Sequence, residues 1–277
     1  MIVRNQVWGL PVAVEMTLLA VASFAVVWAY IFWRRGDVKA AAVGGLAGVV
    51  LPAAALGILA SELLKPPTAG ILVLPLLNPH ANLSSWMVWG ASGISLLILL
   101  SLLFTAPLIT PFDKIAVWGR DRRVMNALGL LMSAFGVFVA LYTGLVLSYE
   151  RGIPFWHSAA VPLLALFIGV AAGSGLYGLL GRVETGKWIA LGSGLAALTY
   201  LIHLRLSLIG PVAAAFSAQG AMSDPAALGG VALALAAAAV AMFGRKRPSV
   251  VAAGALAIVA VFLIRMSLLL WGAWDFP

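Results

Sequence analysis

Six side chains able to exchange a proton, donate a strong hydrogen bond or hold charge fall inside long apolar stretches of this sequence: Glu15, Glu62, Tyr142, His203, Arg205 and Arg265. An ionisable group carried into lipid costs about 2.5–3.5 kcal/mol on insertion scales, so each is a candidate for function by its position alone. A carboxylate or an imidazole can take up and release protons, a phenol can donate to a carbonyl oxygen, and a guanidinium can hold a negative charge. Glu15, Glu62, His203, Arg205 and Arg265 are the candidates for proton transfer. Each group also has a plainer use. Glu62 and Arg205 can reach the lipid–water interface along their stems. Glu15 and Arg265 can neutralise one another, His203 can pack, and Tyr142 can serve as an interfacial aromatic.

Other chemistries are missing. The chain contains no cysteine, which removes disulfides, cysteine-ligated iron–sulfur clusters and cysteine-based zinc sites. Of three histidines, His80 and His157 fall between apolar stretches and only His203 lies within one. Paired axial ligands for a haem inside a helical bundle are therefore not expected.

The elements that must position these groups follow from composition. The 277 residues are 63% hydrophobic and 9% charged, with a mean hydropathy of +1.09. Soluble domains carry about 45–50% apolar and about 25% charged residues, so lipid must solvate most of this surface. A spanning helix needs about 20 mostly apolar residues. Eight stretches qualify, at about 11–33, 40–64, 84–107, 124–148, 158–181, 188–209, 226–244 and 249–272. The expectation is an all-α integral membrane protein with about eight transmembrane helices, forming a single domain over residues 1–277. The stretch 68–77 is apolar but short, carries Pro75 and is flanked by Pro66, Pro67 and Pro79, which places it as an interfacial or re-entrant segment. Residues 1–10 lack the basic region and cleavage site of a signal peptide, so the first helix is expected to stay as an anchor. Runs such as Gly44-Gly45-Leu46-Ala47-Gly48 and Gly173-Ser174-Gly175 let membrane helices approach closely.

The net charge of +8 does not indicate nucleic acid, because the basic residues sit in short gaps between apolar runs. Membrane topology accounts for them. Alternate gaps on one side carry twelve Lys and Arg: Arg34, Arg35, Lys39, Lys114, Arg120, Arg122, Arg123, Arg182, Lys187, Arg245, Lys246 and Arg247. The other side carries three, Arg4, Lys65 and Arg151. The positive-inside rule makes the first side cytoplasmic and puts both termini outside, in a multi-pass protein of the cytoplasmic membrane. With 1.5 Å of rise per residue, all six polar groups then fall in the outer half of the membrane. A polar pocket near the outer surface, walled by apolar helices, suits an amphipathic redox head group or a polar solute.

Three stretches resemble the NrfD/PsrC family, the haem-free membrane subunits of polysulfide reductase and related complexes. Asn78-Pro79-His80-Ala81-Asn82-Leu83-Ser84-Ser85-Trp86-Met87-Val88-Trp89-Gly90-Ala91 resembles the family's loop into the third helix, where a serine and a Trp-Gly pair recur. Tyr142-Thr143-Gly144, Ile153-Pro154-Phe155-Trp156-His157 and Pro162-Leu163-Leu164 are similar to its Tyr-x-Gly helix end, its Pro-x-Trp loop and the start of its next helix. Arg265 with Gly272 is similar to the Arg and Gly near the end of its last helix. Glu15 stands where the family often has a pocket histidine or asparagine, and Ala273 where it often has a glutamine.

The resemblance implies a membrane anchor of a respiratory molybdenum or tungsten iron–sulfur oxidoreductase. Such an anchor passes electrons between the quinone pool, menaquinone or ubiquinone, and an iron–sulfur subunit, which contacts a molybdopterin catalytic subunit on the outer face. It implies quinone contacts from Tyr142, Glu15, His80, Trp86, Trp156 and His157, with a charge held by Arg265. Tyr142 would donate to a quinone carbonyl and Glu15 would exchange the quinol proton. Two other readings remain at this point. One is a secondary transporter or ion-translocating subunit, with the intramembrane charges as its relay. The other is an anchor with no quinone site.

Overall fold

The computed structural model describes residues 2–4, 8–62, 83–150, 152–244 and 246–275. Eight of its helices are long and apolar enough to cross a membrane. They are α1 (Leu10–Arg34), α2 (Val38–Glu62), α3 (Trp86–Thr105), α4 (Arg122–Ser148), α5 (Ala160–Leu179), α6 (Gly186–Leu208), α8 (Pro225–Phe243) and α9 (Arg247–Leu270). Between α6 and α8 lies α7 (Val212–Ser223), whose 12 residues extend about 18 Å and do not span. The helix is the natural solution for such runs, because lipid offers nothing to an unpaired backbone amide.

Local signals set the ends. Pro11, Pro225 and Pro248 occupy first turns, where the missing amide hydrogen costs no intrahelical bond. Asp121 caps α4 by accepting from the Arg123 amide, and Asp224 caps α8 by accepting from the Ala226 amide. Gly36 and Gly181 follow α1 and α5 with φ of 82° and 75°, a left-handed conformation that favours glycine.

The observed spans match the expected ones to within a few residues. Three features were not anticipated: α7, the series of 3-10 turns at Ala106–Leu108, Phe112–Lys114 and Val117–Arg120 that joins α3 to α4, and a short strand pairing near the termini. The expected re-entrant segment at 68–77 lies outside the described residues. A short antiparallel ribbon is added to the helical bundle, with Ile2 opposite Asp275, Val3 opposite Trp274 and Arg4 opposite Ala273. The ribbon brings both ends of the chain to one end of the bundle, called here the terminal end.

Helix α1 is central and packs against α2, α4, α5 and α9. It contributes to two buried apolar clusters. One joins it to α5, α6 and α9 through Val12, Met16, Leu164, Ile168, Tyr200 and Ile264. The other joins it to α3 and α4 through Leu19, Val26, Ile94, Leu97, Met132 and Val139. Polar contacts pin the end opposite the termini, where the basic links lie. Arg182 pairs with Asp37 at 2.6 Å, Tyr177 donates to the Ala40 carbonyl at 2.8 Å, and Arg34 donates to Asn126 Oδ1 at 2.9 Å. The Ala40 amide and the neighbouring Arg182 hold the Asp37 carboxyl below its ordinary value, against a smaller opposing effect of burial.

Candidate functional site

At the terminal end a cavity of about 140 Å³ opens between α1, α2, α3 and α4. It is bounded by Trp8, Val12, Glu15, Met16 and Leu19 on one side and by Tyr142, Thr143 and Val146 on the other, with Leu59 and Met87 closing it. Glu15 and Tyr142, each less than a tenth exposed, are its ionisable groups. Neither the Glu15 carboxylate nor the Tyr142 hydroxyl makes a hydrogen bond to another described residue. Both polar groups are therefore available to a guest, inside walls that are otherwise almost wholly apolar.

Helix periodicity explains the lining. Val12, Glu15, Met16 and Leu19 are spaced by three and four residues and form one stripe of α1. Tyr142 and Val146 are one turn apart on α4. The Tyr142 ring stacks near Phe138, with centroids 6.4 Å apart, and it fills the space beside Gly90 of α3. A side chain at Gly90 would collide with the ring, so the Trp89-Gly90 pair serves as the seat of Tyr142.

Behind the cavity lies a buried polar layer. Arg265 of α9 is 2% exposed, and its Nη2 donates to Thr143 Oγ1 at 2.9 Å. Thr143 in turn donates to the Ala140 carbonyl at 2.9 Å. Glu15 and Arg265 attract one another across this layer but form no direct ion pair. Two residues beyond Arg265, the hydroxyls of Ser267 and Tyr200 lie 2.9 Å apart.

The remaining predicted residues are distributed as follows. Trp156 is fully buried, and its indole nitrogen donates to the Leu268 carbonyl at 2.8 Å. It does not line the cavity, but its ring lies 5.4 Å from that of Trp8, which does. His157 is exposed in the same loop. Trp86 is half-buried beside Tyr149, at 5.1 Å between ring centroids, and its neighbour Met87 reaches the cavity instead. His203 is buried against the Phe155 ring at 4.7 Å, and neither ring nitrogen has a partner among the described residues. Arg205, two positions on, is exposed on the outer side of α6 and away from the cavity. Glu62 is the last residue of α2, and His80 lies outside the described residues.

Sequence reasoning did not single out Trp8 and Thr143. Trp8 lies just before α1, outside the helix, so helical spacing offered no signal for it. Thr143 lies inside the Tyr-x-Gly motif itself.

The separate sequence motifs meet in space. Gly90 seats Tyr142. Gly144 lets α4 touch the start of α5, since a Cβ there would lie 2.6 Å from Pro162 Cα. Gly272 faces Trp156, where a Cβ would lie 2.7 Å from the indole ring. Arg265 reaches Thr143. The fold and this interlocked end define an eight-span membrane subunit built around a small pocket with one carboxyl and one phenol. The chain belongs to the NrfD family: the family model described as polysulphide reductase, NrfD, matches residues 3–276. Members of this family are membrane subunits of oxidoreductase complexes and typically partner with iron–sulfur and molybdoenzyme subunits. A search of curated proteins finds no match to the chain.

Proposed function

We propose that this chain is the quinone-reactive anchor of a respiratory molybdenum or tungsten iron–sulfur oxidoreductase, and that the cavity bounded by Glu15, Tyr142 and Thr143 receives the quinone head group. The observation that carries this reading is the convergence of an uncommitted carboxyl and an uncommitted phenol on one apolar-walled cavity in a member of this family. The residues fit such a guest: a hydrogen-bond donor for a carbonyl oxygen, a group that exchanges protons, and flat or flexible apolar surfaces from Trp8, Met16 and Met87.

When bound, menaquinone or ubiquinone supplies a redox couple of two electrons and two protons. Tyr142 holds a carbonyl by donating its hydroxyl hydrogen. Glu15 takes or gives a proton at its carboxylate, within reach of the same space. Arg265 stabilises negative charge at Glu15 from behind, held in place by Thr143. Trp156 and His157 support the site through the loop that carries Trp8's ring partner, Trp86 stands next to the cavity-lining Met87 on α3, and His80 is a further candidate contact from the sequence motif. Glu62 and His203 complete the candidates for proton movement, with or without net translocation, whereas Arg205 faces away from the cavity. The apolar outer faces of α2 and α3 let an isoprenoid tail lie in lipid.

The density of basic residues at the opposite end supports an orientation with the terminal end, and therefore the cavity, outside the cytoplasmic membrane. An iron–sulfur subunit docked there receives or supplies the electrons, and a molybdopterin subunit beyond it handles the substrate. The placement of the cavity at one end, rather than near mid-membrane, favours this reading over a secondary transporter.

The test is purification from native membranes in mild detergent, with the associated chains identified by mass spectrometry and with iron, molybdenum, tungsten and quinone quantified. A cysteine-rich partner, a large pterin-binding chain and retained quinone are expected. A chain that purifies alone, without metal or quinone, overturns the proposal.

A further inference from the structure

A second concavity lies on the lipid-facing surface at the terminal end, between α6, the end of α7 and the first half of α8. It measures about 420 Å³, and its walls include Leu201, Leu204, Leu208, Met222, Val231 and Leu235. Arg205 is the charged residue in it. This guanidinium is exposed and makes no ion pair or hydrogen bond with another described residue. It sits three residues before the end of α6, about 4.5 Å inside that end. Its stem carries the guanidinium to the lipid–water interface, the depth at which a lipid phosphate lies.

Protein groups nearby are committed elsewhere. Asp224, at the start of α8, accepts from the Ala226 amide with one carboxylate oxygen and from the Trp271 indole with the other. The Tyr200 hydroxyl is engaged with Ser267. Among the described residues, no carboxylate lines the groove to balance Arg205. Below Arg205 the groove continues inward along Leu201 on α6 and along Val231, Ala232 and Leu235 on α8, a strip of purely apolar wall. One cation at interfacial depth, with an apolar trough running from it toward the membrane centre, matches an acidic head group joined to an acyl chain.

We infer that this groove holds one anionic glycerophospholipid, its phosphate paired with Arg205 and one acyl chain laid between α6 and α8. With no carboxylate among the described lining residues to receive a lipid ammonium group, net negative head groups are preferred over zwitterionic ones. Arg205 then belongs to a lipid site on the far side of α6 from His203, and not to a proton route. This inference stands apart from the quinone reading, because no residue is shared between the two concavities.

The test is native mass spectrometry of the full-length protein in mild detergent, titrated with phosphatidylglycerol and, separately, with phosphatidylcholine. Wild type is expected to retain one phosphatidylglycerol and to bind phosphatidylcholine less tightly. Arg205→Gln should weaken phosphatidylglycerol about tenfold, the effect of one charge-assisted hydrogen bond, while Arg205→Lys keeps most of the affinity. Ala232→Phe, which fills the trough and leaves the cation in place, should also release the lipid. Far-ultraviolet circular dichroism and elution volume report whether each variant folds. Equal affinity of wild type for the two lipids, or unchanged affinity in Arg205→Gln, overturns the inference. So does a purified complex in which a helix of another subunit crosslinks into the groove and the lipid is gone.

Discussion

The phenol ring of Tyr142 occupies the volume that a side chain at position 90 would need. The two residues belong to different helices, and no side chain fits at position 90 while the ring stays in place. The Gly90→Ala variant is expected to push the ring toward the cavity. Overpacking of this kind costs about 1–3 kcal/mol, and quinol turnover by the complex should fall with it. A complex of Gly90→Ala that turns over quinol as wild type does, with an unchanged melting temperature, would show that the seat is unimportant.

Tyr142→Phe separates ring from hydroxyl. The ring keeps its seat beside Gly90, so thermal stability should change little. Affinity for a quinone-site inhibitor should drop about tenfold, as expected for one lost hydrogen bond. Unchanged affinity in an inhibitor titration removes Tyr142 from the site.

Glu15→Gln tests the proton role, because the amide has the same shape and cannot exchange a proton at that atom. Extraction of the purified complex should recover as much quinone as from wild type. Turnover should fall by about 10²–10⁴, the usual contribution of a positioned acid or base. If quinone is lost as well, Glu15 is a binding group first.

Thr143→Val removes the acceptor that Arg265 Nη2 uses, in a buried setting. Leaving a buried donor unmet costs about 1–3 kcal/mol. A lower thermal midpoint in detergent is therefore expected, and Thr143→Ser should restore it. A Thr143→Val protein as stable as wild type would mean that the guanidinium finds another acceptor.

The Asp37–Arg182 pair at the opposite end should carry a small dependence on pH and salt. Its side chains are about a third exposed, so the pair contributes about 0–1 kcal/mol at most. The folded Asp37 carboxyl lies below its ordinary value of 3.8, held there by the Ala40 amide ahead of Arg182. Its contribution is complete above that ordinary value and disappears as pH falls through the folded one. Arg182→Gln should lower the thermal midpoint slightly near neutral pH, and by less in high salt. An effect that grows with salt contradicts this account.

Much of the fold could be read from the sequence because lipid imposes a simple rule: an apolar run of sufficient length must be a helix. The expected span 124–148 is α4, and 249–272 is α9, each shifted by about two residues. Helix α7 escaped that rule, since Val212–Ser223 is too short to span and its docking depends on tertiary contacts such as the bond from Trp271 to Asp224. The pocket was half legible. Glu15 and Tyr142 stood out as polar groups at matching depth, but depth says nothing about azimuth. Arg205 and His203 lie at nearly the same depth two residues apart, and a helix turns them to different faces, one outward and one into the bundle. Trp156 resembled a ligand contact by its motif, yet its indole is spent on the Leu268 carbonyl.

The pairing of Ile2–Arg4 with Ala273–Asp275 has a temporal consequence. Synthesis delivers the first strand before any span is complete, and the second only after the eighth has been made. Until then the first strand has an open edge at the membrane surface, with backbone groups seeking a partner. Closure of this clasp requires both strands on one face of the membrane, which only an even number of crossings allows, and a chain in which a single span failed to insert would bring them to opposite faces, where the clasp cannot shut.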